Sequence, residues 1–383
     1  MKYLPFLSLA LFITSCSSVG IEDKLSLYET TDTLIYQLPS DVSINVPSLQ
    51  VYTDGNGDEY LYLYDRDNCR LLFYDIGGAD VVRTIQLEPE GANGIGRVSE
   101  CYVKNLNEVY LPCNDRLVVN VVDSMGAIKR KYDLSGKDIS TFHSRVGNEA
   151  YIIGDRLYSI QFLRRNMETE GYLNSPSEIV MDLSTGEIEL SPCLFPKSYL
   201  NEVVGKPLVD IKFYSESRCF NGHDFIYSYY GSEELSIMSA DFKKVSTKAA
   251  PSRYISEIPI VVSQDNMEMF TRYRRATGEV MYGKIVYDPY RRLYYRFAYP
   301  ETEVEEKDSY LLDLWQNGRN VFSIIILDED LNVIGETLFP RDRFRSNLYF
   351  VCKDGFYISC NHYKNPGYTD DELQFVKFEV KGK

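Results

Sequence analysis

The sequence predicts an all-β chain folded as a β-propeller of six or seven blades. Three observations point there. The chain is rich in residues that favour pleated strands, with 32 Tyr and 19 Phe. An apolar run closing on an aspartate recurs at Asp75, Asp123, Asp182, Asp241, Asp288 and Asp328, and each time a turn and a second β-rich run follow. The spacings of 48, 59, 59, 47 and 40 residues suit repeated four-stranded meanders with loops of unequal length. An aspartate just past a strand accepts a hydrogen bond from a backbone N–H two residues on and so nucleates a turn. The competing reading, metal ligands or catalytic acids, does not explain a recurrence once per repeat.

Taken in order, residues 1–15 read as an export signal: Lys2, then a mostly apolar stretch too short to span a bilayer. Ile13-Thr14-Ser15-Cys16 resembles a lipobox, in which Cys16 receives the lipid and becomes the new N-terminus. Residues 16–31 are then a polar tether, and 32–383 form a single propeller domain. Strands are expected over 46–52, 59–65, 70–75 and 81–87, then over 98–103, 108–113, 117–123 and 127–134. The plan repeats more loosely within 139–191 and 208–250, and 266–275 reads as an added strand pair or an elaborated loop. A hairpin occupies 284–300, an acidic loop 301–308, and two strands 320–328 and 332–339. The last group, 348–352, 356–360 and 373–380, has only three strands. The spare strand at 32–38 supplies the fourth by pairing with 373–380, which closes the last blade and removes an exposed edge.

The formal net charge of −15 argues against a nucleic-acid partner, since a polyanion needs a basic face. Eight cysteines include no C-x-x-C pair, so no zinc site is expected. Cys101 and Cys113 flank a hairpin turn, where either a disulfide or buried thiols would fit. His143, His223 and His362 lie in separate repeats, and no nucleophile motif accompanies them. Asp54-Gly-Asn56-Gly-Asp58 and Asp328, Asp330, Asn332 have the spacing of half a calcium loop, but both fall in hairpin turns. Neither a metal nor a cofactor is expected.

The lipobox, the hairpin Ile285-Val-Tyr-Asp288 to Leu293-Tyr-Tyr-Arg-Phe297, and the terminal Lys353-Asp-Gly-Phe-Tyr-Ile358 with Leu373-Gln-Phe-Val-Lys-Phe378 together carry a resemblance. The chain resembles the Bacteroidota lipoproteins of domain-of-unknown-function family 4221. That resemblance implies a six-bladed, TolB-like propeller and supplies no catalytic residue.

The functional expectation is therefore an outer-membrane lipoprotein, held by Cys16, that acts as a binding module for a glycan or a protein. Ser17 rather than Asp after the cysteine lacks the feature that resembles an inner-membrane retention cue. A propeller hydrolase or lyase acting on glycans, and a scaffold subunit of a membrane-anchored complex, are the alternatives. One candidate site stands out. Arg272, Arg274, Arg275, Arg291, Arg292 and Arg296 crowd one region of an acidic chain. Strand alternation puts Leu293, Tyr295, Phe297 and Tyr299 on the expected core face. Arg292, Tyr294 and Arg296 then form an open face able to grip an acidic ligand. The bland reading is that these arginines pair with local acids.

Overall fold

The structure is a computed structural model that describes residues 24–46, 49–98, 100–137, 139, 142, 144, 146–160, 176, 178–193, 216–259, 268–305, 307, 311, 314 and 318–382. It is all-β apart from short helical pieces. The strands run β1 Leu25–Gln37, β2 Leu49–Thr53, β3 Glu59–Asp65, β4 Arg70–Asp75, β5 Val81–Gln86, β6 Tyr102–Asn105, β7 Glu108–Cys113 and β8 Val118–Val122. Next come β9 Ile128–Asp133, β10 Tyr151–Ile153, β11 Arg156–Ile160, β12 Glu178–Asp182, β13 Ile188–Leu190, β14 Glu216–Phe220, β15 Asp224–Tyr229 and β16 Glu234–Ser239. The remainder are β17 Val245–Ala249, β18 Met281–Asp288, β19 Leu293–Tyr299, β20 Ser323–Leu327, β21 Val333–Leu338, β22 Tyr349–Val351, β23 Phe356–Ser359 and β24 Glu372–Gly382. Strands β2–β5, β6–β9, β10–β13 and β14–β17 form separate four-stranded antiparallel meanders. The rest form one eight-stranded sheet, in the order β18-β19-β20-β21-β1-β24-β23-β22.

Strand β1 makes that fusion. It pairs antiparallel with β24, from Leu25 opposite Gly382 to Gln37 opposite Glu372, with an irregularity between Glu29 and Thr33. It also touches β21 in parallel, Leu25 opposite Gly335. The expected pairing of 32–38 with 373–380 is thus present. The strand begins earlier than expected, however. Leu25–Thr31, assigned to the tether by its polarity, is strand because Leu27 is buried and the backbone of this half pairs with 378–382.

Adjacent meanders pack face to face through apolar side chains. Tyr62, Leu71 and Phe73 meet Val103, Val109 and Leu111. Tyr110 and Val121 meet Leu157 and Met181; Tyr158 and Val180 meet Phe225 and Tyr227. Ile226 and Leu235 meet Tyr282, Tyr294 and Ile325, while Tyr295, Phe297 and Ile326 join Tyr349, Phe356 and Leu61. Both faces of each central strand are therefore covered, which suits the near-continuous apolar runs there. Outer strands such as β9, with Lys129, Arg130 and Lys131, present charge at the rim and discourage edge-to-edge pairing.

Within each meander the turns after the first and third strands lie at one end, and the remaining connections lie at the other. We call these the turn end and the loop end. The turn end follows the expected grammar. Asp123 Oδ1 accepts from the backbone N–H groups of Met125 and Ala127, at 2.9 and 3.0 Å. Asp182, Asp241, Asp288 and Asp328 cap their turns in the same way. So does Asp54, whose Oδ1 takes the N–H groups of Asn56 and Asp58, so the calcium-like spacing there serves a turn.

One element departs from expectation. Where 266–275 was expected to be a strand pair or an elaborated loop, the structure has an α-helix, α1 Met269–Gly278. Arg275 and Glu279 pair across one helical turn, and Glu279 N–H closes on Arg275 O at 2.9 Å.

Candidate binding site at the loop end

The segment before β10 forms a hub among the first strands of the meanders. Ser144 Oγ is met by Gln50 Nε2 at 3.2 Å, and Ser144 N–H donates to Glu100 Oε2 at 2.7 Å. Val146 packs in the core shared by β2, β19 and β22. Gly147 O accepts from Ser217 Oγ at 2.5 Å, and the same hydroxyl receives Ile285 N–H at 3.2 Å. Asn148 holds β14 from both sides, donating to Glu216 O at 3.1 Å and accepting from Arg218 N–H at 3.2 Å. Ser144, Gly147 and Asn148 thus tie β2, β14 and β18, and the chain entering β6, to the start of β10.

Gly147 is required for this closeness. Its φ is +79°, and a Cβ there would lie 2.5 Å from Lys284 Cδ and 2.9 Å from the Tyr349 hydroxyl. Lys284 from β18 and Tyr349 from β22 therefore converge on the same backbone position. The Lys284 ammonium sits 5.7 Å from the centre of the Tyr349 ring. Glu149, two residues on, accepts Gly147 N–H at 2.9 Å.

The electrostatics follow from burial. Burial pushes the Glu149 carboxyl above its usual range, against the pull of Lys284 and Arg218. Burial pushes Glu216 well above that range too, and the nearby charge of Glu178 adds to it. Glu216 Oε2 and the Tyr349 hydroxyl are buried and have no hydrogen-bond partner among the described residues. Beside them, Arg218 and Glu178 form a fully buried ion pair at 2.8 Å. The Arg218 guanidinium also donates to Glu149 O at 2.5 Å, and the Tyr227 hydroxyl donates to Glu178. Partly exposed groups here include Glu149, Tyr151, Tyr230 and Lys284. The arrangement offers a carboxyl biased toward its protonated form, an ammonium and phenol rings, suited to hydrogen-bonding and stacking on a ligand.

The expected arginine face is not formed. Arg296 is 0% exposed: Nε donates to Ser228 Oγ at 2.9 Å, and the Nη atoms donate to the carbonyls of Ser232, Glu233 and Ala250. Its guanidinium lies 4.0 Å from the Tyr282 ring centre. Tyr294 is buried as well, its hydroxyl accepting from Asn221 Nδ2 at 2.7 Å. Only Arg292 is exposed, at a left-handed φ of 57° and paired with Glu329. The reason is that β19 is central. Its Tyr295–Phe297 face packs toward β22 and β23, and its Tyr294–Arg296 face packs toward β14–β17. Arg291 and Arg275 also pair locally, with Asp288 and Glu279 rather than with the acidic loop. The Arg274 guanidinium donates to Val304 O at 2.6 Å. The Arg272 side chain lies outside the described residues.

Cys101 and Cys113 are both buried thiols rather than a disulfide. His362 is buried, with Nε2 3.2 Å from Asn320 Oδ1, and His223 lies in the exposed turn capped by Asn221. Cys16 and His143 lie outside the described residues. The site residues the sequence reading passed over had faint signals: Lys284 inside an apolar run, and Glu216-Ser217-Arg218 opening another.

The model of the family Domain of unknown function (DUF4221) matches residues 23–338. The chain belongs to the DUF4221 family. A crystal structure of another DUF4221 member, from Bacteroides vulgatus, is similar at 22% identity and TM-score 0.81, covering 94% of this chain and 99% of that one. A protein of Bacteroides fragilis described as exported matches at 12% identity and TM-score 0.52, covering 96% and 98%. The WD40 domain of Toxoplasma gondii coronin matches at 8% identity and TM-score 0.44, covering 94% and 88%. At these identities the likeness of this DUF4221 chain to the two Bacteroides structures is one of fold. No curated protein matches the sequence.

Proposed function

We propose that this chain is a six-bladed propeller lipoprotein of the outer membrane that binds a glycan or a protein partner at its loop end. Hydrogen bonds between successive meanders support a closed ring of six. Ile128 N–H reaches Asn93, and the Tyr132 hydroxyl reaches Leu183 O. Tyr158 reaches Ala240 O and Asn221 reaches Tyr294. Arg291 reaches Lys353 O, and Lys353 N–H reaches Glu59. Strand β1 is then the outer strand of the last blade. The Ile13-Thr14-Ser15-Cys16 sequence supports anchoring through a lipid on Cys16.

The observation that carries the binding role is the convergence of Glu149, Lys284 and Tyr349 on Gly147, where strands of different meanders meet. Such axial clusters assemble side chains from many strands into one rigid frame, which favours recognition of a shaped ligand. Calorimetry of the intact chain against neutral and acidic oligosaccharides and peptides tests the reading. Glu149→Gln and Lys284→Met should each weaken the bound ligand about tenfold or more, roughly 1.4 kcal/mol, with melting unchanged. Parent-like affinity in both folded variants overturns it. Cleavage of an oligosaccharide, lost in Glu149→Gln, would replace binding by hydrolysis.

A further inference from the structure

Strand β1 starts at the turn end. It runs parallel to β21, and Leu25 lies opposite Gly335, just past the turn capped by Asp328. The backbone N–H of Lys24 also reaches Ile334 O, at 3.1 Å. Turns of three different meanders meet at this end, since Tyr290 and Lys353 both bond Glu59. The hub is at the other end. Glu149 precedes β10, and Glu216 and Tyr349 begin β14 and β22, strands that all run from the loop end to the turn end.

We infer that the membrane anchor leaves the molecule on the side opposite the Glu149–Lys284–Tyr349 cluster, so that the cluster faces away from the membrane. This rests on the proposed lipidation of Cys16. From Cys16 to Leu25 is nine residues, which span at most about 30 Å. The start of β1, beside the turn between β20 and β21, is thus held within about 30 Å of the bilayer, and β21 leads about 20 Å away from that turn along its own length at roughly 3.3 Å per residue. The ligand of the cluster then arrives from the aqueous phase as a glycan or protein, not as a headgroup of the anchoring leaflet.

The experiment uses the full lipidated chain with Cys69→Ser, since the other six described cysteines are buried. Asp330→Cys at the turn end and Arg341→Cys past the far end of β21, both exposed, are each labelled with bimane. The labelled proteins are placed on phosphatidylcholine vesicles carrying a headgroup nitroxide. Quenching at 330 at least twofold that at 341 is the expected result. Equal quenching, none at either position, or more at 341 overturns the orientation. A parent chain that does not float with the vesicles removes the anchor itself, and the orientation falls with it.

Discussion

The two ends of the meanders are built on different physics. At the turn end, carboxylates accept local backbone N–H groups. Asp182 is drawn down to about 2 by Ser184 and Thr185, and Asp241 to about 2 by Lys243 and Ser239. At the loop end, carboxyls lie among distant strands and loss of solvation pushes them up, as at Glu149 and Glu216. One end repeats a local rule, while the other joins residues far apart in sequence. The hub, not the turns, is therefore where a single side chain carries the largest consequence.

Replacing Arg218 by Ala gives the largest expected effect. It leaves Glu178 charged and buried, which costs about 3–5 kcal/mol, read as a lower denaturation midpoint in urea. If the loss is under about 1 kcal/mol, the buried pair does not distinguish this end. Glu216→Gln sharpens the contrast through pH. A carboxyl raised in the folded state favours folding below its unfolded pKa of roughly 4.3. That contribution is lost as pH rises through the folded value. The uncharged variant lacks this loss, so its stability relative to the parent should grow from pH 4.5 to pH 8. A difference that stays flat with pH would remove Glu216 from the comparison. Asp182 and Asp241 have the opposite sign: their lowered pKa values give stability that is present above roughly 3.9 and lost as pH falls through about 2. The smallest effect is expected for Asp328→Ala, which frees two backbone N–H groups that water then reaches, at about 1 kcal/mol. A loss matching that of Arg218→Ala would erase the difference between the ends.

That division also sets what the sequence could disclose. The hairpins at 59–65 and 70–75 were legible to the residue because strand alternation and Asp turns are local. The pairing of the first strand with the last followed from counting strands. The Arg292–Tyr294–Arg296 face failed because alternation says which side chains share a face, not whether a neighbouring sheet covers it. For β19 both faces are covered, and Arg296 became a buried link to Ser232, Glu233 and Ala250. The hub was illegible for a related reason. Gly147, Lys284 and Tyr349 are far apart in the chain, and no local pattern marks a residue that meets its partners only across the axis.

The pairing of β1 with β24 also bears on how the molecule is made. The first strand, β1, finds its partner only when residues 372–382 have been made. Contacts so distant in sequence form late and slowly. Until then β1 and the rim of β21 are open strand edges able to pair with other chains. A polypeptide interrupted before Glu372 keeps those edges. Arrival of residues 372–382 and sealing of β1 against β24 are therefore one event, and copies interrupted before it are marked by the β1 edge that β24 would cover.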